Sequence, residues 1–144
     1  MAKTKTEFLG EKDGVKVYFA QYSEPKTITA ALKEIAKLHS RKQHWIVYQP
    51  SDHAELKKYF QKLAKALQPA HKAIITDVAS FIERGELKPT GKELALATGS
   101  PKATYVGGEL VNAANFVKRN VDAGAVVLIV GGTEAKVVSE GLLS

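Results

Sequence analysis

The sequence predicts an α/β domain with a Rossmann-like three-layer fold, in which a mainly parallel sheet carries helices on both faces and an antiparallel hairpin precedes it. Two observations predict this. Apolar strand-like runs alternate with amphipathic helical patterns along most of the chain, which is the order of successive βαβ units. Near the start, Asp13-Gly14 separates two strand-like segments, and this pair supplies the positive φ of a tight hairpin turn. The 144 residues fit one domain, residues 1–144.

The strands are recognised by short runs of β-branched and aromatic residues. Glu7 to Glu11 and Val15 to Phe19 form the predicted hairpin, the only antiparallel signal in the chain. The later runs are continuously apolar, as expected for strands covered on both faces. These later strands are predicted at Trp45 to Tyr48, Ala73 to Val78, Ala103 to Val106 and Ala125 to Val130.

The helices are recognised by apolar residues at helical spacing and by their capping residues. Pro25 suits a first helical turn, and the stripe after it is Ile28, Leu32, Ile35 and Leu38. Either Ser51 or Asp52 can cap the second helix, and Asp52 with Glu55 has the spacing of a capping box. Its buried stripe is predicted to be Leu56, Phe60, Leu63 and Leu67. Further helices are predicted at Thr90 to Ala97, Glu109 to Val121 and Glu134 to Leu142, with a loop from Ala79 to Pro89.

Composition and charge narrow the possible functions. The chain has no cysteine, which removes disulfides and thiolate chemistry and favours a reducing cytoplasm. The longest apolar run, Ala125 to Val130, is far too short to span a bilayer, so we expect a cytoplasmic protein with no membrane partner. The formal charge of +6 raises the possibility of nucleic acid, but most lysines fall on two amphipathic helices, where solvated faces explain them. A nucleic-acid partner is therefore not favoured.

Candidate chemistry is sparse and lies after the predicted strands, where open α/β sheets bind ligands. His53 beside Ser51 and Asp52 is one candidate, although a helix cap explains the serine and the aspartate without any function. Asp77 is a second candidate, with no partner that the sequence can name. The Gly131-Gly132 pair is interpreted as a sharp turn, because neither common glycine-rich phosphate signature occurs in the chain. The four histidines lack metal-site spacing, so we predict no metal site and no catalytic residue.

Several segments, taken in order, resemble the C-terminal domain of the Mur ligases, in particular the branch that joins L-alanine to UDP-N-acetylmuramate. The segments are GEKDGVKVY, WIVYQP, AIITDV and GAVVLIVGG. The residues that mark the resemblance most clearly are Gly14, Tyr18, Pro25, Gln49, Pro50, Asp77, Gly124 and Gly131. The resemblance covers nearly the whole chain but rests mainly on residues of the scaffold.

The resemblance implies the last domain of a three-domain, ATP-dependent amide-forming ligase of peptidoglycan synthesis. In such ligases the first domain binds the UDP-sugar, the central P-loop domain binds ATP with Mg²⁺, and the last domain helps to hold the incoming amino acid. We therefore expect no cofactor in this chain, a P-loop ligase domain or another protein as its partner, and no activity from the domain alone.

The resemblance also implies a degenerate site. Where the family typically has Asp-Asp-Tyr-Ala-His-His-Pro, this chain has Phe19 to Pro25, without those acids and histidines. After Gln49-Pro50 the two arginines of the family are replaced by Asp52 and Glu55, so a site that attracted anions would repel them. The alternative hypothesis is therefore a free-standing, non-catalytic binding or interaction module. For either hypothesis the predicted ligand-binding residues are Tyr22, Ser23, Glu24, Gln49, Ser51, Asp52, His53 and Asp77.

Overall fold

The computed structural model of the protein describes residues 6–21, 24–79, 89–99 and 102–144. The strands in this part of the chain are β1 (Thr6–Lys12), β2 (Val15–Gln21), β3 (His44–Tyr48), β4 (Lys72–Ile75), β5 (Ala103–Tyr105) and β6 (Val126–Gly131). The helices are α1 (Pro25–Leu38), α2 (His53–Leu67), α3 (Gly91–Thr98), α4 (Leu110–Asn120) and α5 (Lys136–Leu143), and α5 follows a 3-10 turn at Thr133–Ala135. None of the helices in the described ranges is long and apolar enough to cross a membrane.

All six strands form one sheet in the order β1-β2-β6-β3-β4-β5. The hairpin β1-β2 is antiparallel and every other neighbouring pair is parallel, which confirms the predicted fold class. The hairpin turns through Asp13 at φ 54° and Gly14 at φ 80°, as the sequence pair predicted.

Two apolar layers cover the sheet. On one face α1, α2 and α3 pack over Ile46 and Tyr48 of β3, and on the other face α4 and α5 pack over Trp45 and Val47. Because successive side chains of a strand point to opposite faces, a central strand covered on both sides must be apolar throughout. Every residue of β3 is buried, which confirms the interpretation of its continuous apolar run.

Two predictions about these elements were wrong. The strand predicted as Ala73 to Val78 ends at Ile75, because the chain leaves the sheet after Thr76 donates its N–H to the Tyr48 carbonyl. Val78 is nevertheless buried, so its burial does not require pairing in the sheet. Leu38, predicted to lie in the buried stripe of α1, is 59% exposed because it is the last residue of the helix. The predicted loop falls mostly at residues 80–88, which lie outside the described residues.

The topology creates a crevice at the carboxyl edge of the sheet. Strands β3 and β6 are neighbours, but the helices that follow them, α2 and α5, pack on opposite faces. Such a switch in direction separates the two chain segments that leave the strands, and open α/β sheets bind ligands there. The crevice between the ends of β3 and β6 is thus the place to look for a site.

Candidate functional site

A cavity of about 560 Å³ opens at this crevice, and we call it the crevice pocket. Its polar side chains come from the ends of β3 and β4 and from the starts of α4 and α5. Its lining residues are Gln49, Asp77, Val78, Ala79, Gly108, Glu109, Leu110, Val111, Glu134 and Val137.

Gln49 is the most unusual residue of the crevice pocket. Its backbone N–H donates to the Val130 carbonyl at 3.0 Å, which fixes the residue beside the end of β6. The side chain is only 5% exposed, and its Oε1 has no hydrogen-bond donor in the described part of the chain. A buried acceptor without a partner costs about 1–3 kcal/mol, so the Gln49 amide is held in an unfavourable environment beside the cavity.

Gly131 permits this close approach of β6 to Gln49. A Cβ at Gly131 would lie 3.2 Å from the Cβ of Gln49 and 3.0 Å from that of Ala135, both tighter than ordinary contacts. Gly132, in contrast, has φ −76° and open space where a Cβ would stand. The glycine pair was interpreted as a turn, and the structure gives the first glycine a packing role instead.

Asp77 holds the loop between β5 and α4 against the end of β4. Its Oδ1 accepts a hydrogen bond from the Tyr105 hydroxyl, and its Oδ2 accepts one from the Gly108 N–H at 2.8 Å. Burial, followed by the hydrogen bond and charge of Asp77, raises the pKa of Tyr105 to about 12, so the phenol remains a donor at neutral pH. A Cβ at Gly107 would overlap the Tyr105 hydroxyl, so a larger residue there would displace this phenol from Asp77.

A second cavity of about 360 Å³ is also lined by Asp77, together with His53, Thr90, Lys92 and Tyr105. Thr90 caps α3 in a complete capping box with Glu93, which sets the start of this helix. Asp77 therefore forms a wall shared by two cavities.

The structure brings together only some of the predicted ligand-binding residues. Gln49 and Asp77 share the crevice pocket, while His53 shares the second cavity with Asp77. Asp52 is the N-cap of α2, where its Oδ1 accepts from the Glu55 N–H at 2.8 Å, and neither it nor Ser51 lines these two cavities. The interpretation of Asp52 as a helix cap is confirmed.

The remaining predicted residues belong to the segment that leads into α1. Glu24 is the exposed N-cap residue of α1, and its side chain makes no capping bond. Tyr22 and Ser23 lie outside the described residues. A ligand-binding role for these three residues stays a prediction.

Sequence reasoning missed Tyr105, Glu109 and Glu134 as site residues. The two glutamates were interpreted only as helix starts, and Tyr105 only as part of a strand. A usable signal was present, because Gly107-Gly108 lies one residue after β5 and glycines near a strand end allow a close approach of backbone to ligand.

The crevice pocket is acidic although the chain is basic overall. Asp77, Glu109 and Glu134 contribute carboxylates, and in the described ranges none of them forms an ion pair with lysine, arginine or histidine. Glu109 precedes α4 without capping it, so its carboxylate is available to a ligand. The described residues contain no group of three or more histidine, aspartate or glutamate side chains able to hold a metal ion.

Comparison with known proteins shows what the chain is similar to. No protein-family model matches the chain. The chain is 29% identical over 139 residues to the UDP-N-acetylmuramate–L-alanine ligase of Alkaliphilus metalliredigens, covering 96% of this chain and 30% of that protein. It is 26% identical to the enzyme of the same name from Caldicellulosiruptor saccharolyticus, covering 99% of this chain and 31% of the relative. The chain thus spans about 30% of the length of these curated relatives.

Solved structures show the same fold. A murein peptide ligase from Psychrobacter arcticus superimposes with a TM-score of 0.76 at 16% identity, over 95% of this chain and 28% of that one. The chain has the α/β fold of the Mur ligase domains. The UDP-N-acetylmuramate–alanine ligase of Thermotoga maritima matches this Mur-type domain with a TM-score of 0.69 at 17% identity, over 94% of the domain and 28% of the ligase. Both identities lie below 25%, so the solved structures establish its fold.

Proposed function

We propose that the chain serves as the amino-acid-side domain of an ATP-dependent ligase that forms amide bonds in peptidoglycan precursors. The observation that carries the proposal is the similarity of nearly the whole chain to about 30% of UDP-N-acetylmuramate–L-alanine ligases. The position of the crevice pocket supports it, because a cavity at the carboxyl edge can face a second domain and a shared substrate.

Within such a ligase, the nucleotide would be held by another domain. This chain has no P-loop signature, and its described residues do not form a metal site, so no step of the reaction is assigned to a nucleotide here. When bound to a partner P-loop domain, ATP with Mg²⁺ would supply the phosphoryl group that activates a carboxylate. The role of this domain would be to hold and orient the amine that attacks.

A chimera tests the proposal directly. In the Alkaliphilus metalliredigens ligase, the region that matches this chain is replaced by this chain, and ADP release and amide formation are measured with UDP-N-acetylmuramate, ATP and a panel of amino acids. We expect turnover with at least one amine. The matched controls are the same ligase truncated before the replaced region and this chain alone, neither of which should turn over.

The alternative is a non-catalytic binding module, favoured by the acidic Asp52 and Glu55 at positions where the family resemblance implies arginine. A chimera that folds, as judged by a cooperative melting transition, but forms no amide with any amine would contradict the ligase proposal. That result would leave binding as the function to pursue.

A further inference from the structure

We propose that a groove between α1 and α2 docks an acidic amphipathic helix of a protein partner. This groove has a volume of about 550 Å³ and is lined by residues of both helices and by Pro69, and we call it the lysine groove. Its charged lining residues are Lys26, Lys33, Lys62 and Lys65. The lysine groove and the crevice pocket share no described lining residue, so this docking does not rest on the proposed function.

The four lysines of the groove have no acidic partner on their own helices. Residues three or four positions apart are neighbours on a helix surface, where opposite charges can pair. None of the four lysines has an aspartate or a glutamate at either spacing. Within the described residues none of them forms an ion pair with a carboxylate from elsewhere in the chain. The groove therefore concentrates positive charge that the described protein leaves uncompensated.

The acidic residues of the two helices are placed elsewhere. Glu34 of α1 accepts a hydrogen bond from the Thr6 hydroxyl at 2.8 Å, so it holds the helix against β1. Glu55 of α2 stands in the first turn, whereas Lys62 and Lys65 lie in the second half of that helix. Neither glutamate lines the groove. Within α1 and α2, no carboxylate complements the lysines.

The positions of the lysines favour a helical partner. Lys26 and Lys33 lie two turns apart on α1, a rise of about 10.5 Å. Lys62 and Lys65 lie about one turn apart on α2, so each wall of the groove carries two lysines along one flank of its helix. A helix with carboxylates on both sides of one stripe presents the matching pattern, and amphipathic helices commonly bind in such grooves.

The uncharged lining favours a protein helix over a nucleic acid. These residues are small or apolar, namely Pro25, Thr29, Ala30, Ala66 and Pro69. Small side chains at a contact allow two helices to approach closely. The described lining contains no arginine to bind phosphate through two parallel hydrogen bonds and no aromatic ring on which a base could stack. An acidic helix with a stripe of small apolar residues suits both parts of the surface.

The experiment adds four probes to the full 144-residue chain at low ionic strength and pH 7, followed by ¹⁵N–¹H NMR. The acidic probe is a peptide of three heptads with alanine at positions a and d, glutamate at e and g, and glutamine elsewhere. The neutral probe replaces its glutamates with glutamine. The rearranged probe moves them to positions b and f, where they form a single row. The fourth probe is an oligothymidylate with as many negative charges as the acidic probe.

We expect the acidic probe to bind tightest, with saturable shifts at Lys26, Thr29, Lys33, Lys62 and Lys65. The rearranged probe should bind about tenfold more weakly, because it can reach only one wall of the groove and loses two exposed charge pairs. Added salt should weaken binding of the acidic probe, because the charges that attract it are exposed. The neutral probe should give no saturable shifts.

Variants locate the interaction on the groove. Lys33→Gln and Lys62→Gln should each weaken binding of the acidic probe about threefold, and the two together about tenfold. Lys37→Gln and Lys57→Gln are the matched controls, because these lysines are exposed on the same two helices but do not line the groove. Both controls should leave the affinity unchanged. All four lysines are exposed, so an unchanged melting temperature checks that each variant keeps the fold.

Four results would overturn the inference. They are equal binding of the acidic and neutral probes, equal binding of the acidic and rearranged probes, binding of the oligothymidylate at the groove as tightly as the acidic probe, and no binding by any probe. The third result would identify the groove as a nucleic-acid surface instead. An inactive chimera would contradict the ligase proposal and leave the lysine groove standing, since the chimera experiment contains no partner helix.

Discussion

The two edges of the sheet differ in whether their polar groups have hydrogen-bond partners within the protein. At the amino edge, Tyr18, His39, His44 and His71 form a group that we call the histidine cluster. The His44 ring Nε2 donates to the His39 carbonyl at 2.8 Å, and the His44 N–H donates to His71 Nδ1 at 2.9 Å. The Tyr18 hydroxyl and His39 Nε2 are 2.8 Å apart. These groups satisfy one another within the protein.

At the carboxyl edge the pattern is reversed. Gln49 Oε1 is buried and unpaired, and the carboxylates of Glu109 and Glu134 face a cavity without a cation in the described residues. The histidine cluster is therefore satisfied within the protein, whereas Gln49 Oε1 has no donor among the described residues. The comparison teaches that residue type alone does not show which polar groups are left without partners, since the histidines are paired and the described residues offer no donor to the glutamine oxygen.

The largest expected effect tests how rigid the backbone is at the carboxyl edge. A Cβ on Gly91, the first residue of α3, would overlap the Thr76 carbonyl oxygen, which belongs to the backbone and cannot swing away. We expect Gly91→Ala to lower the free energy of unfolding by about 2–3 kcal/mol through overpacking. Urea unfolding should show a lower midpoint with an unchanged slope.

Gly132→Ala is the matched control, because it makes the same substitution at the same edge with open space for the methyl group. Its stability should stay within about 0.5 kcal/mol of the unaltered chain. If Gly91→Ala were equally harmless, α3 could move away from Thr76. The backbone at this edge would then not be rigid.

The sequence was sufficient to predict the class of the sheet and most of its strands, though not their order, because the strand signals are local. The Asp13-Gly14 turn and the apolar runs that became β3 and β6 are each contained in a few consecutive residues. The same signals fail where a residue is buried without pairing in the sheet. Val78 is such a residue, and it was assigned to a strand only because it is apolar. Pattern alone cannot distinguish a buried loop residue from a buried strand residue.

The site was less predictable because its contacts join distant parts of the chain. Asp77 was recognised as a candidate, but its partner Tyr105 is 28 residues away and approaches it only when β5 pairs with β4. Gln49 stands out because its Oε1 is buried and has no hydrogen-bond donor among the described residues. Only the folded structure reveals this. Asp52 was predicted best, since a helix cap is a local feature.

A pair of leucine substitutions sharpens the comparison further. His44→Leu should lower the free energy of unfolding by about 2 kcal/mol, because it leaves the His39 carbonyl without its donor. Gln49→Leu should raise it by about 1 kcal/mol in the free protein, because a buried unpaired oxygen disappears. Both are measured by chemical denaturation at pH 7. Destabilisation by Gln49→Leu would mean that the oxygen has a partner and would remove the contrast between the edges.

A smaller effect concerns Tyr105 at alkaline pH. Its pKa is raised from 10 in the unfolded chain to about 12, so its contribution to stability is complete below pH 10 and is lost as pH rises toward 12. At pH 8, Tyr105→Phe should cost about 1 kcal/mol through loss of the bond to Asp77. The difference between the two proteins should shrink between pH 10 and 12. A difference independent of pH would show that the phenol does not titrate with folding.

The smallest expected effect is at the amino edge and concerns the pKa of the His39 ring. Burial, then the positive charges of Lys16, His44 and Lys42, lower the pKa of His39 below 6.5. The folded state therefore prefers the neutral ring that can accept from the Tyr18 hydroxyl, and stability present above pH 6.5 is lost as pH falls through the lowered value.

His39→Gln should consequently lose less stability than the unaltered chain between pH 7 and pH 5, measured by urea unfolding at each pH. In Lys16→Gln, one of the charges that disfavour the imidazolium is absent, so NMR titration should find the His39 pKa closer to 6.5. A His39 ring that titrates at or above 6.5 in the unaltered chain would contradict the prediction. It would mean that the amino edge accommodates a positive charge despite the burial of the ring and the neighbouring lysines.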